Sequence, residues 1–149
     1  FGGEKATVMA GRQEVLGHHN IRMIPVKEDM SHLFLVNEAL DNNEIMSMPA
    51  DRIIGSAKSV TSVFMDAEAR FPAGPLSVAT MKGLDVLAVN VMKTSAKHYK
   101  VYVARLSYDK HAPRRQQMQQ LADSYVKELE RRVRQYPLQW FNFYDFWSR

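Results

Sequence analysis

The chain has 149 residues, the size of one ordinary domain; 46% are hydrophobic, 24% are charged, and the net charge is +4 with a pI near 9.4. It contains no cysteine, which excludes disulfides, thiolate nucleophiles and cysteine-based metal sites. No run approaches the ~20 apolar residues of a membrane-spanning helix.

The basic excess is modest. It suits an anionic partner but does not choose among nucleic acid, a phosphorylated substrate, an acidic carrier protein and an anionic lipid surface. The chain opens on "FGGEKATVMAG", with neither an initiator Met nor the charged start of a signal peptide, which reads as a beginning inside a longer protein.

Along the chain, "KATVMAG" is a short apolar run closed by Gly11 and "NIRMIPVK" alternates Ile21 and Met23 before Pro25, so both read as strands. "DMSHLFLVNEALDNN" reads as a helix. Asp29 or Ser31 can cap it, Leu33, Val36 and Leu40 share a face, and "DNN" ends it. "EIMSMPA" reads as a buried strand, "VTSVFMDA" as another, and "EARFPAGP" as a loop. "PLSVATMKG" is a helix with Pro75 in its first turn and Gly83 past its end.

"DVLAVNVMK" and "YKVYVARLSY" are strongly strand-like and close enough to form a hairpin. A long amphipathic helix follows over 114–136. Met118, Leu121, Tyr125, Leu129 and Val133 recur on one face. Its flanking arginines, Arg114, Arg115, Arg131, Arg132 and Arg134, are expected on the solvated side. The last segment, 137–149, is an aromatic tail. With Tyr136 the chain end carries seven large rings, the others being Trp140, Phe141, Phe143, Tyr144, Phe146 and Trp147. A terminus is usually polar and frayed, so most of these rings are expected to be buried.

Strands and helices interleave throughout. The pattern predicts one α/β layered domain, 1–149, with a mostly parallel or mixed central sheet and an antiparallel hairpin.

Two loops can carry chemistry. Asp51 and Arg52 follow a predicted strand end, where open α/β sheets bind ligands. The guanidinium suits a phosphate or carboxylate, and a local salt bridge is the plainer alternative. "ARFPAGP", Ala69 to Pro75, joins a predicted strand to a helix start, where free N–H groups receive anions and Arg70 adds a positive charge. A rigid Pro/Gly turn is the alternative there. The histidines, His18, His19, His32, His98 and His111, show no metal-ligand spacing. Arginines flanking the long helix, with aromatics beyond it, suit a membrane surface; no nucleic-acid signature accompanies them.

Three stretches, "SMPADR", "VFMDAEARFPAGPLSVATMKGLDVLAVNVMK" and "YPLQWFNFYDFW", resemble the C-terminal portion of bacterial lipid A biosynthesis acyltransferases of the lauroyl/myristoyl type, in the branch common in Bacteroides-like bacteria. The final aromatic motif is the most specific. The resemblance runs from about "NIRMIPVK" to the end. It implies a glycerolipid acyltransferase-like fold, incomplete at its N-terminus. It further implies transfer of a fatty acyl chain from acyl carrier protein or coenzyme A, as substrate and with no cofactor, to a hydroxyl of a lipid A-type membrane lipid precursor.

Such enzymes use a His-x4-Asp pair, because a hydroxyl is a poor nucleophile until a base takes its proton. Five positions after the five histidines stand Met23, Ile24, Asn37, Val103 and Gln116. No catalytic residue is therefore assigned in this chain, nor any metal ligand, and the chain alone is expected to be inactive. The resemblance assigns acceptor binding to Asp51, Arg52, Phe71, Pro72, Gly74 and Pro75, with Arg70 added as a phosphate contact by its position; Trp140 and Trp147 are expected to face the membrane, because tryptophan favours interfaces apolar at one end and wet at the other. It implies the cytoplasmic face of the inner membrane as location, with acyl carrier protein and a lipid acceptor as partners and no nucleic acid. An incomplete sheet would leave an edge or apolar face through which a homodimer can form. A non-catalytic α/β binding module at a membrane surface is the rival reading.

Overall fold

The computed structural model describes residues 20–25, 32–53, 58–143 and 146–147. The chain divides into two compact units, Phe1–Ser47 and Met48–Arg149. In the first, helix α1 spans His32–Asp41 and buries Val36 and Ala39. Its end falls where "DNN" predicted: Asn43 takes the left-handed conformation (φ 59°), and the Glu44 N–H bonds back to the Ala39 carbonyl. The proposed caps Asp29 and Ser31, the strand at "KATVMAG", and His18 and His19 lie outside the described residues. Residues 20–25 form no strand. Neither does "EIMSMPA", whose Ile45 is 98% exposed. A short apolar run becomes a strand only where a partner ladder receives it.

The second unit contains β1 (Ser59–Phe64), β2 (Ala67–Pro72), α2 (Ala73–Met81), β3 (Val86–Lys93), β4 (Tyr99–Leu106), α3 (Arg114–Gln135) and a 3-10 turn at Pro137–Gln139. The expected parallel or mixed central sheet is not what forms among the described residues. There are two separate two-stranded sheets, β1–β2 and β3–β4, both antiparallel. Parallel strands need a long crossover. Here each strand turns straight back on its neighbour, and α2 leads from one sheet to the other instead of returning to the same one.

The stretch expected to be a loop, "EARFP", is strand β2. Phe64 pairs with Ala67, which leaves only Met65 and Asp66 in the turn. Both have positive φ, 53° and 67°, the requirement of the tight hairpin turn whose twist matches the strands. Neither is Gly or Asn, so the usual sequence signal is missing. Helix α3 steadies the turn: Glu130 accepts the Met65 N–H at 2.9 Å, and Arg134 lies 3.5 Å from Asp66.

Helix α3 is about 33 Å long and serves two cores. Phe64, Ala69, Phe71, Val126, Leu129, Val133 and Phe146 form one; Leu76, Ala79, Ala88, Leu106, Leu121 and Ala122 form the other. Tyr125 packs against both. The predicted stripe is present, with Leu121, Leu129 and Val133 buried. The expectation that the arginines are all solvated fails at Arg132, which is only 2% exposed. It bonds Glu128 at 2.6 Å, one turn earlier, and lies 3.7 Å from the centre of the Tyr102 ring on β4. The hairpin β3–β4 thus rests on the C-terminal half of α3 through a cation and a ring.

Burial alone would raise the Glu128 pKa, but hydrogen bonds from Arg132 and Arg131 outweigh it and hold the carboxyl low. Glu130 is also held low, by the Met65 N–H and then by Arg134. Both folded values lie below the ordinary 4.5, so their contribution is fully present above pH 4.5 and is lost as pH falls through the folded values. Chemical denaturation followed from pH 7 to pH 3 should therefore show stability falling below pH 4.5, with a smaller fall in Glu130→Gln. Glu128→Ala strands a buried guanidinium and should cost about 3–5 kcal/mol, whereas replacing Glu128 by Leu together with Arg132 by Met should cost less.

Candidate functional site

The seven residues assigned to acceptor binding fall at two places. Arg70, Phe71 and Pro72 end β2, and Gly74 and Pro75 open α2, so these five lie in one strand-to-helix junction. The register puts Arg70 opposite Thr61 and Pro72 opposite Ser59, on the outer face of the hairpin. Phe71 points the other way. Its ring is 1% exposed and packs edge-on against Phe64, Tyr125 and Phe146. A ring so enclosed anchors the junction from beneath and touches a ligand only if the core opens. Arg70 is exposed and has no hydrogen-bond or ion-pair partner among the described residues.

The junction is closed by backbone. The Ala73 N–H donates to the Lys58 carbonyl at 2.9 Å, and Pro72 caps α2 in an extended conformation without a side-chain hydrogen bond. Pro72 and Pro75 have no N–H and the Leu76 N–H belongs to the helix, so Gly74 holds the remaining donor of this first turn. A side chain at Gly74 would meet nothing within 4 Å, so internal packing does not demand glycine there. Lys58 is exposed and precedes the strand residue opposite Pro72, which adds a second cation that sequence reading missed. Only the antiparallel pairing of β1 with β2, invisible while β2 was taken for a loop, brings it there.

Asp51 and Arg52 lie elsewhere in this unit. The Arg52 guanidinium donates to the Phe141 carbonyl at 3.3 Å, which ties their loop to the aromatic tail. Asp51 is close enough to Tyr125 for its charge to add to the burial that raises the phenol's pKa.

The tail is split, which corrects the expectation that most of its rings are buried. Among the described rings only Phe146 is buried; Tyr136 and Trp140 are half-buried. Trp140, Phe146 and Trp147 surround Phe64 with ring centres 5.2, 5.4 and 6.0 Å away. Trp147 also donates its indole N–H to the Phe64 carbonyl at 3.1 Å. The two tryptophans expected at a membrane are therefore largely committed to the β1–β2 hairpin. Phe141 and Phe143 are exposed at 66% and 89%, with rings 6.4 Å apart, and Leu138 is 90% exposed. Among the described residues these three are the most exposed large apolar side chains of the tail; Trp147 is 38% exposed. Composition marked the tail but could not say which rings turn outward.

Among the described residues no cluster of His, Asp or Glu could hold a metal ion. His98 pairs its Nδ1 with the Ser95 hydroxyl at 2.8 Å inside the tip of the β3–β4 hairpin, an arrangement that closes a turn. No described helix is long and apolar enough to cross a membrane.

The bacterial lipid A biosynthesis acyltransferase family model matches residues 7–149. The chain belongs to that family. No curated protein and no solved structure matches it significantly. Family membership gives the β2–α2 junction and the tail a chemical setting of a lipid acceptor and an acyl donor, but assigns neither to particular residues.

The division of the tail is testable by denaturation. Phe146→Ala should cost about 3–5 kcal/mol. Phe141→Ser with Phe143→Ser should change stability by less than about 1 kcal/mol, because those rings fill no core.

Proposed function

We propose that this chain supplies the acceptor-binding part of a lipid A-type acyltransferase, with the β2–α2 junction receiving an anionic lipid headgroup. The observation that carries this is Arg70, three residues before α2, whose side chain has no partner among the described residues. A guanidinium free of internal carboxylates is available to grip a phosphate through its fork of donors. Lys58 adds charge, and the start of α2 adds its partial positive end and the Gly74 N–H donor. Phe71, Pro72 and Pro75 hold the junction stiff, so little entropy is lost when a headgroup docks.

The second loop is assigned to the membrane side. Arg52 holds the tail segment that carries Phe141. Leu138, Phe141 and Phe143 enter the headgroup region of the cytoplasmic face of the inner membrane, with Trp140 and Trp147 behind them as the interfacial anchors. Asp51 orders its loop.

The acyl donor, acyl carrier protein or coenzyme A, and the His-x4-Asp dyad that would activate the acceptor hydroxyl are assigned to chain outside these 149 residues, since no histidine here stands five residues before an aspartate. A non-catalytic binding module would share that absence. The two readings part when a catalytic partner segment is supplied.

Co-sedimentation with phosphatidylglycerol vesicles carrying a lipid A precursor checks the headgroup site. Arg70→Ala should weaken the precursor-dependent part of binding by about tenfold, the loss of one charge-assisted contact. Phe141→Ser with Phe143→Ser should weaken binding to all vesicles alike. In an acyl-transfer assay with labelled acyl carrier protein this chain alone should transfer nothing. Transfer by it would overturn the assignment of the dyad, and binding unaltered by Arg70→Ala would overturn the headgroup site.

A further inference from the structure

Residues 136–141 leave α3 as a strap that is held at four points among the described residues. The Tyr136 hydroxyl meets the Tyr102 hydroxyl of β4 at 2.6 Å. The Gln139 side chain accepts the Lys93 N–H and donates to the Lys93 carbonyl, both at 2.8 Å. Trp140 packs edge-on against Phe64 of β1, with ring centres 5.2 Å apart. The Phe141 carbonyl accepts from Arg52 at 3.3 Å. Yet Phe141 and Phe143, at the far end of this clamped segment, are 66% and 89% exposed. A frayed terminus exposes its side chains because nothing holds it. Here the backbone leading to the two rings is held and the rings are still outside.

The Gln139 contact has a particular form. Lys93 is the last residue of β3 and pairs with Tyr99, and both of its backbone groups go to Gln139. In an antiparallel pair, residues that do not exchange hydrogen bonds with their opposite neighbour turn N–H and C=O to the outer edge together. A primary amide carries a donor and an acceptor, so one side chain takes the place of a neighbouring strand at that edge. The grip is on backbone and does not depend on the lysine side chain. The Gln139 main chain is fixed in turn, its N–H donating to the Tyr136 carbonyl at 3.0 Å in the 3-10 turn.

We infer that Gln139 is a positioning residue for Phe141 and Phe143: its two bonds to the β3 edge fix where the rings are presented. This rests on the reading of the tail as the membrane-contacting segment. A loose tail would lose conformational freedom whenever its rings entered a headgroup layer, whereas a clamped one has already lost it on folding. Gln139 is singled out among the four anchors because Tyr136 and Trp140 also pack against other rings, which makes them part of the fold, and Arg52 supplies one longer bond where Gln139 supplies two short ones.

Co-sedimentation with phosphatidylglycerol vesicles, together with hydrogen exchange at the Lys93 amide, tests it on the full 149-residue chain in a double-mutant cycle. Gln139→Ala changes no charge. It should speed exchange at Lys93 at least about tenfold, leave the far-ultraviolet circular dichroism unchanged and weaken vesicle binding about three- to tenfold. Added to Phe141→Ser with Phe143→Ser, it should weaken binding by less than about a further twofold, because the rings it presents are gone. A merely structural Gln139 would weaken both backgrounds alike, and that result would overturn the inference. So would unaltered exchange at Lys93, or unaltered vesicle binding by Gln139→Ala where the serine pair does weaken it. If the serine pair itself binds vesicles as the wild type does, the membrane reading of the tail fails first, and the positioning role falls with it.

Discussion

Helix α3 is the element on which the second unit depends. Val126, Leu129 and Val133 close one core over the β1–β2 hairpin, while Leu121 and Ala122 close the other over α2 and the β3–β4 hairpin. Tyr125 touches both. Two-stranded sheets are marginal by themselves. Each of these gains its stability by lying against the same long helix, and polar contacts supplement the packing where apolar contact runs out. Glu130 secures the strained Met65–Asp66 turn, Asp123 bonds Ser62 at 2.7 Å, and the Glu128–Arg132 pair supports Tyr102. These contacts lie along one helix, so acid should loosen both of its glutamate-supported hairpins together.

The candidate site depends on that scaffold without being part of it. Phe71 points into the core and Arg70 points out because they are neighbours on a strand. The burial of one fixes the position of the other. The same division appears in the tail, where Phe146 and Trp147 are held on Phe64 while Phe141 and Phe143 are left outside. In both places a residue serving the fold sits beside one available to a ligand or a surface. Membership of the lipid A biosynthesis acyltransferase family implies a lipid acceptor and an acyl donor, and the proposed contacts draw on those outward groups.

Much of the fold was legible in the sequence. The spacing of Leu121, Tyr125, Leu129 and Val133 located α3; "DNN" and Gly83 located the ends of α1 and α2; and the valine-rich runs located β3 and β4. Several readings failed for physical reasons. β2 was taken for a loop because its turn, Met65–Asp66, reaches positive φ without glycine or asparagine and is held there by a contact 65 residues away. "EIMSMPA" looked like a strand because apolarity is local, while pairing is not. The parallel sheet was inferred from interleaving alone, which cannot distinguish a crossover from two hairpins. Arg132 was placed in solvent because its partners, one turn back along α3 and across on β4, make a buried charge tolerable in a way composition does not reveal. For the site, Arg70 was legible and Lys58 was not, since strand register alone brings Lys58 there.

By itself the sequence determined the family, the helices, the absence of cysteine chemistry and the two stretches, Asp51–Arg52 and Arg70–Pro75, where charge meets a turn. Those features are local: a periodicity, a cap, a motif, a composition. Tertiary structure alone decided which way strands pair, which rings of the tail face out, which arginine is buried and which face of β3–β4 packs on α3. Each of these is set by contacts between residues far apart in the chain, and their free energies depend on what lies opposite as much as on what the residue is.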